Sequence, residues 1–321
     1  SPMPNPNRGQ GERWGHERAM SLRKDPHAGQ FDLFAPYLTD MNLRDQRETM
    51  ERPFFSLAKR KRVQPISYHS PDGSIWVEVR SVPEYGMATI WDADVLIWAA
   101  SVLTAMKDRR VNEAPRTLAF HPAELLRAIN RGVGGENYER LRAALARLQA
   151  TTIRTTIRAS GKRKVRQFSW IEGWSEVTDE ATGATRGMTL TLSEWLYEGI
   201  MMEGGVLAID PHYFRLTGGR ERWLYRVARK HAGGAGGAGF SITLPTLFEK
   251  SGAEGSYRRF KFELKRIAED NALPEFHLEW LERTQGKEPS LMMVRRSTLA
   301  PDHPAFAFPP ARDKRYPKDA G

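Results

Sequence analysis

Twice along this chain an apolar helical pattern runs into a glycine turn, reopens as a basic helix and passes into extended segments. The first copy is "FHPAELLRAINRGVGGENYERLRAALARLQATTIRTTIRA", whose spacing predicts helices over 122–131 and 136–149 around Gly132, Gly134 and Gly135. The second is "FSITLPTLFEKSGAEGSYRRFKFELKRIAED", with helices predicted over 244–252 and 256–270 around Gly252 and Gly255. In both, a tyrosine (Tyr138, Tyr257) follows the last glycine of the turn by two or three residues and opens a basic helix. The likeness is one of architecture, not of sequence. Helix, turn, helix and strand is the order of a helix-turn-helix, and a following hairpin makes it a winged helix. In the first copy "TTIRTTIRA" alternates as a strand, "SGKRK" is a basic turn and "VRQFSWIEGW" is the return strand, so the wing is placed at that turn.

The predicted fold class is therefore α+β: two winged-helix domains in tandem, with disordered tails at both ends. Residues 31–202 form the first domain, introduced by a hairpin with strands near 63–69 and 74–80 around Pro71, Asp72 and Gly73. Residues 203–298 form the second, introduced by a basic helix near 218–231. Residues 1–30 and 299–321, rich in Pro and charge, are predicted to be disordered tails, and 1–30 lack the apolar region of a secretory signal.

The stretch "GMATIWDADVLIWAAS" (86–101) sets Asp92 and Asp94 in the most apolar part of the chain. Val95, Trp98, Ala99, Val102, Leu103 and Met106 fall at helical spacing, which makes Asp92 the expected N-cap and Asp94 a first-turn acid favoured by the helix dipole. Oxygen coordination of a metal would need a third carboxylate or a histidine placed by the fold, so neither a metal nor any other cofactor is expected.

The 321 residues contain no cysteine, which excludes disulfides, thiolate zinc sites and cysteine nucleophiles and fits a cytoplasmic setting. Val95 to Met106, the longest apolar run, is too short to span a membrane. The formal net charge of +10 favours a polyanionic partner. Its distribution says more: residues 131–166 hold ten Arg or Lys against two Glu, a net of +8. The second helix of a helix-turn-helix enters the major groove, where Arg and Asn can pair with base edges. The DNA-binding candidates are Asn137, Arg140 and Arg147 in the first unit and Tyr257, Arg258, Arg259, Lys261 and Lys265 in the second. Lys162, Arg163 and Lys164 at the wing would hold phosphates. Lys59 to Arg62 ("KRKR") reads equally as a phosphate patch or as a flexible basic linker. No catalytic residue is expected: no two of the eight histidines stand two apart, as a nickase would require, and no glycine-rich loop ends in Gly-Lys-Ser or Gly-Lys-Thr.

"RPFFSLAKRKR" (52–62), "GMATIWDADVLIWAAS" (86–101) and "YERLRAALARLQATTIRTTI" (138–157), supported by "RERWLYRVARKHAG" (220–233), resemble the replication initiator protein A family of bacterial plasmids and integrated elements. The resemblance covers roughly residues 31–285. It implies a winged-helix protein that binds repeats at a replication origin in double-stranded DNA, opens or prepares it and brings in the host helicase and primase, without a catalytic motif. A homodimer is one expected assembly. The competing expectation is a transcriptional repressor or partition protein that uses the same helices without opening an origin.

Overall fold

The computed structural model of the chain describes residues 41–111, 113–158, 165–283 and 286–304. The tail 1–30 and residues 305–321 of the other tail therefore lie outside the described residues, as do Lys162, Arg163 and Lys164.

The fold is mixed α+β and contains one arrangement twice. In the first unit α1 (Ala93–Asp108) is followed by β4 (Thr117–Phe120), α2 (Pro122–Ala128), α3 (Gly135–Ala150), β7 (Ile171–Thr178) and β8 (Thr185–Leu192), and the strands pair antiparallel in the order β4-β8-β7. In the second, α5 (Gly219–His231) is followed by β10 (Phe240–Thr243), α6 (Leu244–Ser251), α7 (Tyr257–Asp270), β11 (Phe276–Leu281) and β12 (Ser290–Arg295), paired in the order β10-β12-β11. First strand, last strand, middle strand is the same topology in both. Helix α4 (Glu194–Met201) closes the first unit, its Ser193 hydroxyl accepting from the Leu196 amide.

The hairpin assigned above to the wing needs correction. β5 (Thr152–Thr155) and β6 (Arg166–Ser169) do pair antiparallel, but they extend the hairpin of β2 (Ile66–His69) and β3 (Trp76–Arg80) into a separate sheet of order β2-β3-β5-β6. Val79 lies opposite Ile153, and Ile153 opposite Phe168, so the apolar sides of three strands share one face. The hairpin that completes the three-stranded sheet of the first unit is β7–β8, whose connection carries Asp179 and Glu180 and no lysine.

The segment before β2 ties the units together. β1 (Arg44–Gln46) pairs with β9 (Val206–Ala208), which follows the first unit. Phe54 and Phe55 enter the core, Phe55 stacking on Trp170 with ring centroids 4.7 Å apart. Leu57 and Pro53 pass so close to the second unit that a Cβ on Gly219 would collide with the Leu57 carbonyl, and one on Gly252 would meet Pro53 at 2.6 Å. Gly252 also has φ +60°, which L side chains rarely adopt.

Buried ion pairs reinforce that joint. Asp94 on α1 receives Arg222 of α5 at 2.6 Å and Arg131 at 2.8 Å. Arg226 of α5 pairs with Asp45 of β1 at 2.7 Å. Glu51 takes Lys230, His231 and Lys250 at 2.8, 2.6 and 2.8 Å. Burial alone would raise the Glu51 carboxyl, but the bonds from His231, Lys230 and Lys250 outweigh it and hold the group well below the ordinary carboxylate range.

Asp92 is not the helix cap. Its backbone is already in the right-handed helical region. Thr89 takes the cap position: its hydroxyl accepts from the Asp92 amide at 3.2 Å while the Asp92 carboxylate accepts from the Thr89 amide at 2.8 Å, a reciprocal box. Both Asp92 oxygens also accept from Arg147, at 2.7 and 2.8 Å. The acid pair is thus structural, as expected: Asp94 stands in the first turn of α1, and both acids are in addition buried ionic anchors.

Candidate nucleic-acid interface

Each unit presents the second helix of its pair to solvent, and the two outer faces differ in charge. On α3, Leu141, Ala144, Leu145 and Leu148 are buried, which leaves Glu136, Glu139, Arg140 and Ala143 outward. Arg140 is ion-paired to Glu136. Arg142 is held by Glu176 of β7 through two bonds of 2.8 Å and also by Glu139. Asn137 is half-buried, beside Gly132. Arg147 is a correction: its guanidinium turns inward to Asp92, and that bond holds its pKa above the ordinary arginine value. Ala144, three residues before it, is buried. The outer face of α3 is short and of mixed sign.

On α7, Phe260, Leu264 and Ala268 are buried, and Ser256 caps the first turn by accepting from the Arg259 amide. The strong segregation of apolar and basic positions along "YRRFKFELKRIAED" is what folds this stretch as a helix on a core. Arg258, Arg259, Phe262, Lys265 and Arg266 are exposed, and Arg258 has no hydrogen-bond or ion-pair partner among the described residues. Arg259, whose side chain is 75% exposed, pairs with Glu263 at 2.8 Å. Acids of the β11–β12 connection draw the rest to one flank: Lys261 and the Tyr257 hydroxyl bond Glu288 at 3.0 and 2.6 Å, and Lys265 lies 3.7 Å from Glu282. Burial and the Glu288 bond push the Tyr257 hydroxyl above its ordinary value.

Beside Arg259 opens a cleft of about 180 Å³ lined by Arg60, Arg62, Arg220 and Glu254 among others. Arg220 shares Glu263 with Arg259, and its Nε is buried without a partner among the described residues. Arg60 reaches Glu254 at 3.1 Å and Lys61 the Glu84 carbonyl at 2.7 Å. Arg62 is buried and donates to the Gly252 carbonyl at the end of α6 at 2.5 Å. The "KRKR" stretch is therefore fixed to the second unit, which excludes a flexible linker and leaves Arg60 as its exposed cation on the cleft beside Arg259. Phe262, Arg266 and Arg220 were not singled out as site residues from sequence, and Arg60 only as part of the "KRKR" patch. For the first two the signal was present, because 258, 262 and 266 recur at one helical turn; for the meeting of Arg60 with Arg220, far apart in the chain, there was none.

Three histidines or acids also meet, His277, Glu279 and His303, with His277 Nε2 3.4 Å and His303 Nε2 3.5 Å from Glu279. Asn271 fixes the state of the first. Its amide oxygen accepts from the Leu278 amide at 2.9 Å, so its NH₂ faces His277 Nδ1 at 2.8 Å and that nitrogen acts as acceptor. The proton of neutral His277 then sits on Nε2, the nitrogen a shared cation would need.

No helix among the described residues is long and apolar enough to cross a membrane. The chain is similar to a protein of Wigglesworthia glossinidia brevipalpis named "Putative replication protein", with 28% identity over 267 residues, covering 82% of this chain and 94% of the relative. Its fold is similar to the crystal structure of domains 2 and 3 of RctB, with a TM-score of 0.55 at 16% identity over 76% of this chain and 96% of the other. Residues 44–278, which run from β1 into β11 and so include the first unit, the joining segment and the helices of the second, match the family described as Replication initiator protein A, and the chain belongs to that family.

Proposed function

We propose that the chain initiates replication by binding repeated sites at an origin in double-stranded DNA, and that it does so through two winged-helix units in which α7 is the principal reading helix and α3 the lesser one. The observation that carries this reading is the outer face of α7. Four exposed cations stand on the second helix of a β-α-α-β-β unit, and Arg258 is free of any partner among the described residues. An Arg in that position suits bidentate pairing with guanine, while Arg259 and the arginines of the adjoining cleft suit the flanking phosphates. The acidic connection of β7–β8 makes the wing of the first unit a poor phosphate holder. Phosphate contact there falls to Lys162, Arg163 and Lys164, which lie between β5 and β6 in the chain and outside the described residues.

On this reading the protein works in the cytoplasm without a cofactor or a catalytic step of its own, as a monomer or homodimer, and hands the origin to the host helicase and primase. A repressor or partition protein would bind DNA equally well, so the separating step is strand opening. Two measurements test the proposal on fragments of the replicon that encodes the chain. Affinity measured across salt should give a log-log slope of about −4 to −5, as about five phosphate contacts require; a flat plot refutes DNA binding. Permanganate footprinting on a supercoiled origin should then show unpaired thymines beside the bound repeats, and binding without opening favours the repressor.

A further inference from the structure

The basic face of α7 has an apolar centre. Phe262 is 62% exposed, more than any other large apolar side chain among the described residues. The core does not use it: the inner side of α7 is filled by Phe260, Leu264 and Ala268, with Tyr257 and Ile267 packed at the edges. At about 100° per residue, Arg258 and Arg266 stand about 40° to either side of Phe262, and Arg259 and Lys265 about 60°. Glu269, at the far end of the helix, is the acid on that face.

A single exposed phenylalanine needs no explanation on an ordinary surface. This one is ringed by four cations, and an apolar partner covering it would strip water from all four, at a cost that nothing opposite would offset. The surface that matches is anionic at its edges and apolar at one point on its floor. The major groove has that form wherever a thymine is present: phosphates line both rims, and the 5-methyl group of thymine projects into the groove. Phe262 is the sixth residue of α7, within the first two turns that a recognition helix brings to the base edges.

Resting on the reading of α7 as a DNA-binding helix, we infer that Phe262 reads a thymine: its ring packs against the 5-methyl group of one thymine in each site, and the arginines around it fix the helix on the flanking guanine and phosphates. Phe262 is thus a specificity-determining residue that discriminates by a methyl group and not by a hydrogen bond.

The test exchanges that methyl group alone. Duplexes are selected from a random pool by the wild-type full chain, and the best is resynthesised with each thymine replaced in turn by deoxyuracil, which keeps every hydrogen bond and removes the methyl. Wild-type affinity should fall about fourfold at one position, the value of one buried methyl group, and stay unchanged at the others. Phe262→Ala should bind the thymine duplex about as weakly as the wild type binds the uracil duplex, and should be indifferent to that exchange. Wild-type indifference at every thymine overturns the inference while leaving DNA binding intact. So does a Phe262→Ala variant that keeps the methyl sensitivity, or one whose only change is a loss of self-association in sedimentation. Failure of the wild type to enrich any duplex refutes the DNA-binding reading itself.

Discussion

Replacing Asp94 by asparagine should destabilise the protein by about 3 kcal/mol, the lower end of what removing one member of a buried ion pair costs. The magnitude follows from what the two arginines lose. Asp94 is fully buried, and its oxygens are divided between Arg222 at 2.6 Å and Arg131 at 2.8 Å. The Arg222 side chain is 4% exposed, so water cannot replace the carboxylate, although the carbonyls of Leu216 and Phe214, at 2.7 and 3.1 Å, still take part of its charge. Arg131, at 22% exposure, keeps the Trp91 carbonyl and can rehydrate. Urea unfolding followed by tryptophan fluorescence should give the loss, with a fall in Tm of about 6–12 °C. The double variant Asp94→Asn, Arg222→Met leaves no unpaired charge at that contact and should be more stable than the sum of the single effects by about 1 kcal/mol or more. A single variant within about 1 kcal/mol of the wild type, or strict additivity in the double, would refute the assignment of Asp94 as the anchor of two cations.

Asp92→Asn should lose stability, because one amide oxygen cannot accept both Arg147 bonds, and the loss should be about 1–3 kcal/mol with melting unchanged by a chelator; a chelator-sensitive wild type would restore the metal-ligand reading. The folded-state value of Glu51 lies below its unfolded value, so its contribution is complete above about pH 4.5 and is lost as acid is added. Glu51→Gln should accordingly show a shallower fall in stability than the wild type between about pH 5 and pH 3, and equal slopes would count against the cluster. Arg258→Ala should relax base preference by about 1–3 kcal/mol, and Arg140→Ala by less, since Glu136 and Glu139 share its face; the reverse order in competition binding would exchange the roles of the two helices. Arg163→Ala should weaken binding to all sequences about equally, and a change in preference would make residues 162–164 a reading element.

The elements of the second unit were legible in the sequence because each is encoded locally. Gly252 and Ser256 mark where α6 stops and α7 starts, and the apolar repeat through Phe260, Leu264 and Ala268 gives the buried side. The alternation of "TTIRTTIRA" likewise gives a strand, but alternation does not name a neighbour. β5 chose β3, some 75 residues earlier, and that pairing moved the basic hairpin out of the sheet where local order had put it. Asp92 and Arg147 illustrate the same limit: spacing correctly puts Asp92 at the start of a helix, and nothing in it says that an arginine 55 residues later will take the carboxylate.

Beside the Asp94–Arg222 pair, residues 43–62 make the contacts that set one unit against the other: a strand on β9, a carboxylate on Arg226, a second on Lys230, His231 and Lys250, two glycines that admit no side chain, and an arginine on the end of α6. A joint made of buried charges and of backbone in contact with glycine resists a change of setting, because any shift would unpair a buried charge or press a backbone against Gly219 or Gly252. On the proposed reading the chain is then a ruler as well as a reader. It measures the distance and the helical phase between two half-sites, and an origin whose halves were moved apart by half a turn of DNA would keep every base α3 and α7 recognise and still offer the second one on the wrong side.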